Sequence, residues 1–314
     1  MSWLEEVRGD PLPWLLEKEN PPLRYGALVD LLGRPPGDPE VEAARAAIPT
    51  YPPVAELLAA QKAAGYWVKR DYYLPKYTGT FWTLCVLGDL GLTGEEEAIR
   101  RACEYMFTFQ RENGAFGRRR RVAGRGLVWD DHAGPCTQAR IVRFLIQFGY
   151  GPDPRTRAGI DWLLAAQRED GWWDCGAPGR PGCLRATHDV LRAAALDAEM
   201  AAAPAIARGA ERVCQVLGRQ SLHKYHTGAS WDVLAYPPFD LSLSSTLQAL
   251  GRLGYTADRP EIAGARDLLL GRQLPAGAWP LDRGYERAPL DFGPVGAPNK
   301  WLTLEALRAL RPHR

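Results

Sequence analysis

Three cysteines and a histidine carry the donor types of a zinc site: Cys136, Cys175, Cys183 and His132. Thiolates and an imidazole suit tetrahedral zinc, and four protein ligands would make the ion structural, tying segments together without activating water. Asp131 and His188 are the alternatives for the fourth position. The interval from Cys175 to Cys183 matches no compact zinc motif, so folding would have to bring the set together. Otherwise these are free thiols packed at a helix crossing. Asp130 and Asp131 offer a second chemistry. Two adjacent carboxyls hold one proton between them and so present an acid at neutral pH, whereas an Asp just before a helix commonly caps it. Asp240, in YPPFDLSLSS, poses the same choice at a later helix start.

Two loops look suited to a ligand. Residues 117–126, GRRRRVAGRG, hold five arginines, whose planar forks bind phosphates well; the other reading is a solvated loop. Residues 66–82, YWVKRDYYLPKYTGTFW, combine aromatics with two lysines. Lys76, Tyr77 and Trp82, with Trp129 next to the Asp pair, are the expected contacts for a hydrophobic chain or a cation.

The elements that must position these residues repeat. Gln61, Gln110, Gln167 and Gln273 each precede three residues, a Gly, and an aromatic one or two later, with a degenerate copy at Gln220. Successive glutamines stand 49, 57, 53 and 53 residues apart. Units of that size cannot bury a core alone and must stack on neighbours. An amphipathic helix precedes each Gln, as in Ile160, Leu163 and Leu164 before Gln167. The Gly is expected to end that helix in the left-handed conformation, with the aromatic folded over its end. A more apolar second helix follows, over 80–90, 136–148, 183–196, 241–253 and 301–310. No stretch alternates like a strand. Cys85, Cys103 and Cys214 fall within the helical apolar patterns and read as core.

Gln-x-x-x-Gly-x-Trp after an apolar helix resembles the QW motif of squalene-hopene and oxidosqualene cyclases, an architecture shared with the β subunits of protein prenyltransferases. The resemblance spans nearly the whole chain. It implies a single all-α domain over 1–314, an α/α toroid of about six helical hairpins, with 1–50 an atypical N-terminal unit and 51–314 the repeats. It also implies a central apolar cavity for an isoprenoid or other lipidic ligand, often one with a diphosphate. In that family the Gln and Trp are structural staples, which assigns Gln61, Gln110, Gln167, Gln273, Trp67, Trp173 and Trp279 to the scaffold.

Enzymatic identity does not transfer with the motif. Triterpene cyclases have two toroidal domains and an Asp-x-Asp-Asp-Thr acid string. Here the length fits one domain and the nearest string is WDDHAGPC. The Asp-x-Cys that helps hold zinc in prenyltransferases is absent from the inner-helix starts. Three readings stay open. One is a small cyclase or prenyl-transferring enzyme, using Asp130 and Asp131 or a zinc site. Another is a non-catalytic binding or scaffold protein. The third is a glycan- or peptide-active α/α barrel, disfavoured because the apolar helices look poor in carboxylates.

With 46% hydrophobic and 24% charged residues, disorder and coiled coil are excluded. The 39 basic and 37 acidic side chains leave +2, so bulk charge gives no case for nucleic acid. The acidic start lacks an apolar leader, and the uncharged stretch 77–88 is too short to span a bilayer. The expectation is a cytoplasmic protein without an integral membrane segment, peripheral membrane contact remaining open.

Overall fold

The three- and four-residue apolar spacings form the helices they predict. A computed structural model describes residues 3–124, 126–130, 134–174, 182–219, 231 and 233–311. In chain order its helices are α1 (Leu12–Leu15), α2 (Pro21–Gly26), α3 (Pro39–Ala47), α4 (Pro52–Ala59), α5 (Thr80–Asp89), α6 (Glu97–Phe107) and α7 (Pro135–Gln147). Then come α8 (Pro154–Ala165), α9 (Leu184–Ala194), α10 (Ala198–Ala201), α11 (Pro204–Val216), α12 (Leu243–Arg252), α13 (Pro260–Gly271) and α14 (Lys300–Leu310). The helices leading into the motif glutamines are α4, α6, α8 and α13; the apolar second helices are α5, α7, α9, α12 and α14. Their burial follows their composition. Every residue from Thr80 to Gly88 in α5 is buried, whereas α6 buries one stripe, Ile99, Ala102, Cys103, Met106 and Phe107.

The expectation of a strand-free chain needs correction. Strands β1 (Arg118–Val122) and β2 (Gly126–Asp130) pair antiparallel, with Arg119 opposite Trp129. A shorter pairing joins β3 (Trp279–Pro280) to β4 (Pro298–Asn299). The arginine run read as a loop is therefore one arm of a hairpin. Its turn is supplied by Gly124 and Gly126 at φ of 75° and 71°, which only glycine adopts freely. The fold class remains all-α.

The Gln–Gly–aromatic segment works as one hydrogen-bonded joint, repeated with the same geometry. The Gln Nε2 donates to the carbonyl of its Gly four residues on and to a carbonyl at the start of the next leading helix. Gln61 reaches Ala98 at 2.7 Å, Gln110 reaches Arg155 at 2.7 Å and Gln167 reaches Ala205 at 2.7 Å. The indole N–H of the tryptophan returns to a carbonyl in the last turn of its own leading helix. Trp67 donates to Leu57 at 2.7 Å, Trp173 to Leu163 at 2.7 Å and Trp279 to Leu269 at 2.8 Å. Those carbonyls are among the orphans any helix end leaves. The glycines sit in the turn beyond the helix, not at its last residue as expected. Gly65, Gly114, Gly171 and Gly277 all have φ between 86° and 91°. A Cβ on Gly114 would lie 2.2 Å from the Ala158 carbonyl oxygen, so neither φ nor space admits a side chain. The helix-ending glycines are those of the second helices: Gly91, Gly149 and Gly254, at φ of 90°, 88° and 87°.

Two compact units result. One comprises Met1–Pro52, Glu211–Glu286 and Leu290–Arg314, the other Pro53–Ala210 and Arg287–Pro289. In the first, α1 and α2 pack against α14, and half-buried Arg308 of α14 pairs with Asp30 at 2.6 Å. Here the motif has an unexpected partner. Gln273 accepts from the Arg8 N–H at 2.9 Å and donates to the Arg8 carbonyl at 3.1 Å, so the N-terminal segment takes the place a further leading helix would fill. In the second unit, α5, α7 and α9 lie side by side, with α7 in the middle.

Candidate functional site

In the Pro53–Ala210 unit the chemistry gathers at the beginnings of α5, α7 and α9. Residues 66–79 run over them as a strained loop. Val68 and Tyr77 hold φ of 61° and 73°, a region that side chains with a Cβ seldom adopt and that marks functional segments often enough to note. Asp71 fastens the loop. Its Oδ1 accepts from the N–H groups of Tyr73 and Leu74, both at 2.9 Å, and its Oδ2 takes Arg118 of β1 at 2.6 Å. The aromatics of this loop stack down onto α5. Tyr77 meets Trp82 edge-on at 4.9 Å, Tyr73 tilts against Phe81 and Trp82 at 5.4 and 5.3 Å, and Phe81 touches Phe144 of α7. Lys76 is exposed above them, 4.6 Å over the Tyr77 ring. Of the expected ligand contacts, Lys76, Tyr77 and Trp82 are thus brought together. Trp82 is fully buried and its indole donates to the Tyr73 carbonyl at 2.9 Å, so it is the floor of the cluster.

Trp129 is half-buried under two guanidiniums, Arg119 at 4.4 Å and Arg111 at 5.6 Å, which accounts for it as a hairpin anchor. Asp130 ends β2 opposite Arg118, and Asp131 lies outside the described residues. Asp240 belongs to the other unit, where it accepts from the Tyr285 hydroxyl at 2.9 Å. It does not cap the next helix. Ser242 does, accepting from the Ser245 N–H at 3.5 Å.

The zinc candidates divide in the same way. Cys136 is the second residue of α7, and Cys183 is the N-cap of α9, its sulfur accepting from the Ala186 N–H at 3.4 Å. Neither is in a disulfide, and burial pushes the Cys136 thiol above its ordinary range. Cys175 and His132 lie outside the described residues. Among the described residues no three of His, Cys, Asp and Glu group as a metal site. Cys85, Cys103 and Cys214 are buried core thiols, as expected.

What the sequence reading missed is a ladder of buried ions between the apolar helices. Arg140 of α7 pairs with Asp189 of α9 at 2.8 Å, the two side chains 3% and 0% exposed. His188 stands beside it, Nδ1 3.5 Å from Asp189. Burial would raise the Asp189 pKa, but the Arg140 charge and the His188 hydrogen bond hold it well below the carboxylate range. Burial pushes His188 down to about 4, so the imidazole is neutral at pH 7. About one turn further along α7, Arg143 pairs with Asp89, which also accepts from Gln147 at 3.1 Å and faces Arg192 at 3.9 Å. There too the cations outweigh burial and keep Asp89 ionised. The helices are therefore not poor in carboxylates; they carry paired ones. The signal was present as Arg140 and Arg143, two charges at helical spacing inside CTQARIVRFLIQF. Tyr73 and Arg185, from the loop and from the first turn of α9, were likewise not singled out. Burial raises the Tyr73 pKa while Arg185, Lys76 and Arg140 pull the other way.

Asp38, Asp89, Asp153, Asp189, Asp197 and Glu211 all titrate below their ordinary range, and none of these is a neutral acid at pH 7. No described helix is long and apolar enough to cross a membrane.

Comparison with known proteins bears on the same stretch. The family model of the squalene-hopene cyclase C-terminal domain matches residues 42–188. A squalene–hopene cyclase of Bradyrhizobium diazoefficiens is 28% identical over 127 residues, 38% of this chain and 18% of that protein. The chain thus matches less than a fifth of the length of this relative. Among solved structures, the type II terpene cyclase MstE from Scytonema, in complex with its substrate geranylgeranyl dihydroxybenzoate, aligns with 93% of this chain and 86% of its own. Its TM-score is 0.47 at 17% identity. A protein from Actinoplanes aligns with 85% of this chain and 98% of its own, at a TM-score of 0.31 and 19% identity. Residues 42–188 are thus similar to the squalene-hopene cyclase C-terminal domain.

Proposed function

We propose that the protein binds a lipidic, isoprenoid-like small molecule, with Tyr73, Tyr77, Phe81 and Trp82 supplying an aromatic wall for the chain. The observation that carries this reading is the strained 66–79 loop, which keeps two half-buried tyrosines over a fully buried Phe–Trp floor. Stacked rings give a wide apolar contact that is also attractive to positive charge. The similarity of residues 42–188 to the squalene-hopene cyclase C-terminal domain supports the same ligand class. A cyclising enzyme would draw its acid from Asp130 and Asp131, and Asp131→Asn would then abolish product while sparing affinity.

Titrating tryptophan fluorescence with a C20 prenyl alcohol tests the reading. Saturable quenching is expected, with affinity falling about tenfold or more in Tyr77→Ala, equivalent to about 1.4 kcal/mol. Unsaturable quenching, or a Tyr77→Ala variant that binds like the parent, would remove the aromatic wall from the account. Zinc is part of the same proposal through Cys136 and Cys183. One equivalent of zinc retained by purified protein and lost in Cys183→Ser supports it, and metal-free protein of unchanged melting temperature rejects it.

A further inference from the structure

We propose that the outward side of the 66–79 loop is a docking surface for a bilayer that contains anionic phospholipid. The proposal does not rest on the ligand reading, because it uses none of the four rings of the aromatic wall. Val68 is 53% exposed and Leu74 41%, two aliphatic side chains six residues apart on one loop. Val68 says more than its exposure. It holds φ of 61° in a three-residue turn closed by the Lys69 N–H on the Trp67 carbonyl at 2.7 Å. That conformation is strained for any residue with a Cβ and most of all for a β-branched one, whereas glycine or asparagine adopts it more easily. Trp67 holds the turn from below, buried with its indole N–H on the Leu57 carbonyl. A strained apolar residue turned outward destabilises the isolated protein, and an apolar phase outside the protein supplies the compensation.

Charge selects the partner. Residues 66–79 hold Lys69, Arg70 and Lys76 against Asp71 alone, a net +2 that equals the excess of the whole chain. Asp71 is already engaged by Arg118 at 2.6 Å and by the Tyr73 and Leu74 N–H groups, so the carboxylate of the loop is neutralised and Leu74 is fixed in place. Lys69, Arg70 and Lys76 are all exposed and interleave with the two aliphatic side chains. Cations flanking protruding aliphatic groups suit the boundary between phosphate head groups and acyl chains. Tyr66, half-buried against the Tyr105 ring at 5.3 Å, adds an amphipathic ring of the kind that settles at that depth. A stable protein partner needs about 800 Å² of contact on each side, and two side chains on one loop offer far less. A bilayer receives a single loop, weakly and reversibly, and each basic side chain near an anionic surface strengthens that contact about fivefold.

Sedimentation of the full chain with vesicles tests the surface, using phosphatidylcholine alone and phosphatidylcholine mixed with phosphatidylglycerol in equal parts. Binding to the mixed vesicles should be about tenfold or more tighter than to phosphatidylcholine, and it should weaken as salt is raised. The double variant Lys69→Gln with Arg70→Gln, and the single variants Val68→Asn and Leu74→Ser, should each weaken it about fivefold or more. Val68→Asn carries a second readout. Its melting temperature should equal or exceed that of the parent, because the strained turn is relieved, so its lost binding is not lost fold. Equal affinity for the two vesicles, or variants that all bind like the parent, overturns the proposal, as does a Val68→Asn protein less stable than the parent. Binding that the double variant removes while Val68→Asn and Leu74→Ser leave it intact overturns it too, since that pattern marks a polyanion site and not a membrane surface.

Discussion

Trp173 shows how a single residue can hold two layers of structure at once. It is fully buried, its indole N–H occupies a helix-end carbonyl, and its backbone N–H donates to Thr187 of α9 at 3.1 Å. Thr80, Thr303 and Gln138 receive the aromatic N–H in the other copies, at 3.0, 3.0 and 2.7 Å. Trp173→Ala and Trp279→Ala should each cost about 3–5 kcal/mol through cavity and lost bond together, seen as a lowered denaturation midpoint. A variant of unchanged midpoint would contradict the staple role. His188 makes a different claim at the same scale. Its folded pKa of about 4 lies below the unfolded value near 6.5, so between those values the unfolded chain binds more protons. Stability should therefore fall as pH drops from about 6.5 to about 4, and His188→Asn should flatten that part of the profile. Asp189 adds a further loss only at lower pH, as its depressed pKa is reached.

The elements were largely legible in the sequence, because a period-3.6 pattern ending in a glycine stop has few alternative folds. The five apolar second helices appear where expected, to within three residues at each end. The arginine hairpin was not legible. Four consecutive charges carry no period-2 contrast, and its pairing depends on two turn glycines and on Trp129 lying across from Arg119. The ion ladder escaped for another reason: whether Arg140 and Arg143 snorkel outward or pair inward is decided by Asp189 and Asp89 on neighbouring helices, about fifty residues away. Glycines test the element scale. Gly114 and Gly149 share nearly the same positive φ, but a Cβ on Gly149 meets nothing within 4 Å. Gly149→Ala should cost roughly 1–2 kcal/mol from backbone strain alone. Gly114→Ala should cost clearly more, since Ala158 must also move. Equal midpoints in a urea titration would contradict the joint geometry.

At the scale of the whole molecule, the sequence showed a repeat but not what completes it. Gln273 resolves that within its own unit by binding Arg8, so a segment far away in sequence serves the last motif. Gln273→Ala should speed hydrogen exchange at the Arg8 amide while leaving the amides of α5, α7 and α9 unchanged. Unchanged exchange at Arg8 would mean that the segment is held by other contacts. The account as a whole turns on the lipidic ligand. Native mass spectrometry of the protein mixed with a C20 prenyl compound reads it most directly. The account predicts a saturable one-to-one adduct that Tyr77→Ala weakens and that a short-chain alcohol cannot displace. A spectrum of bare protein at every ratio, with the fold intact, would contradict it.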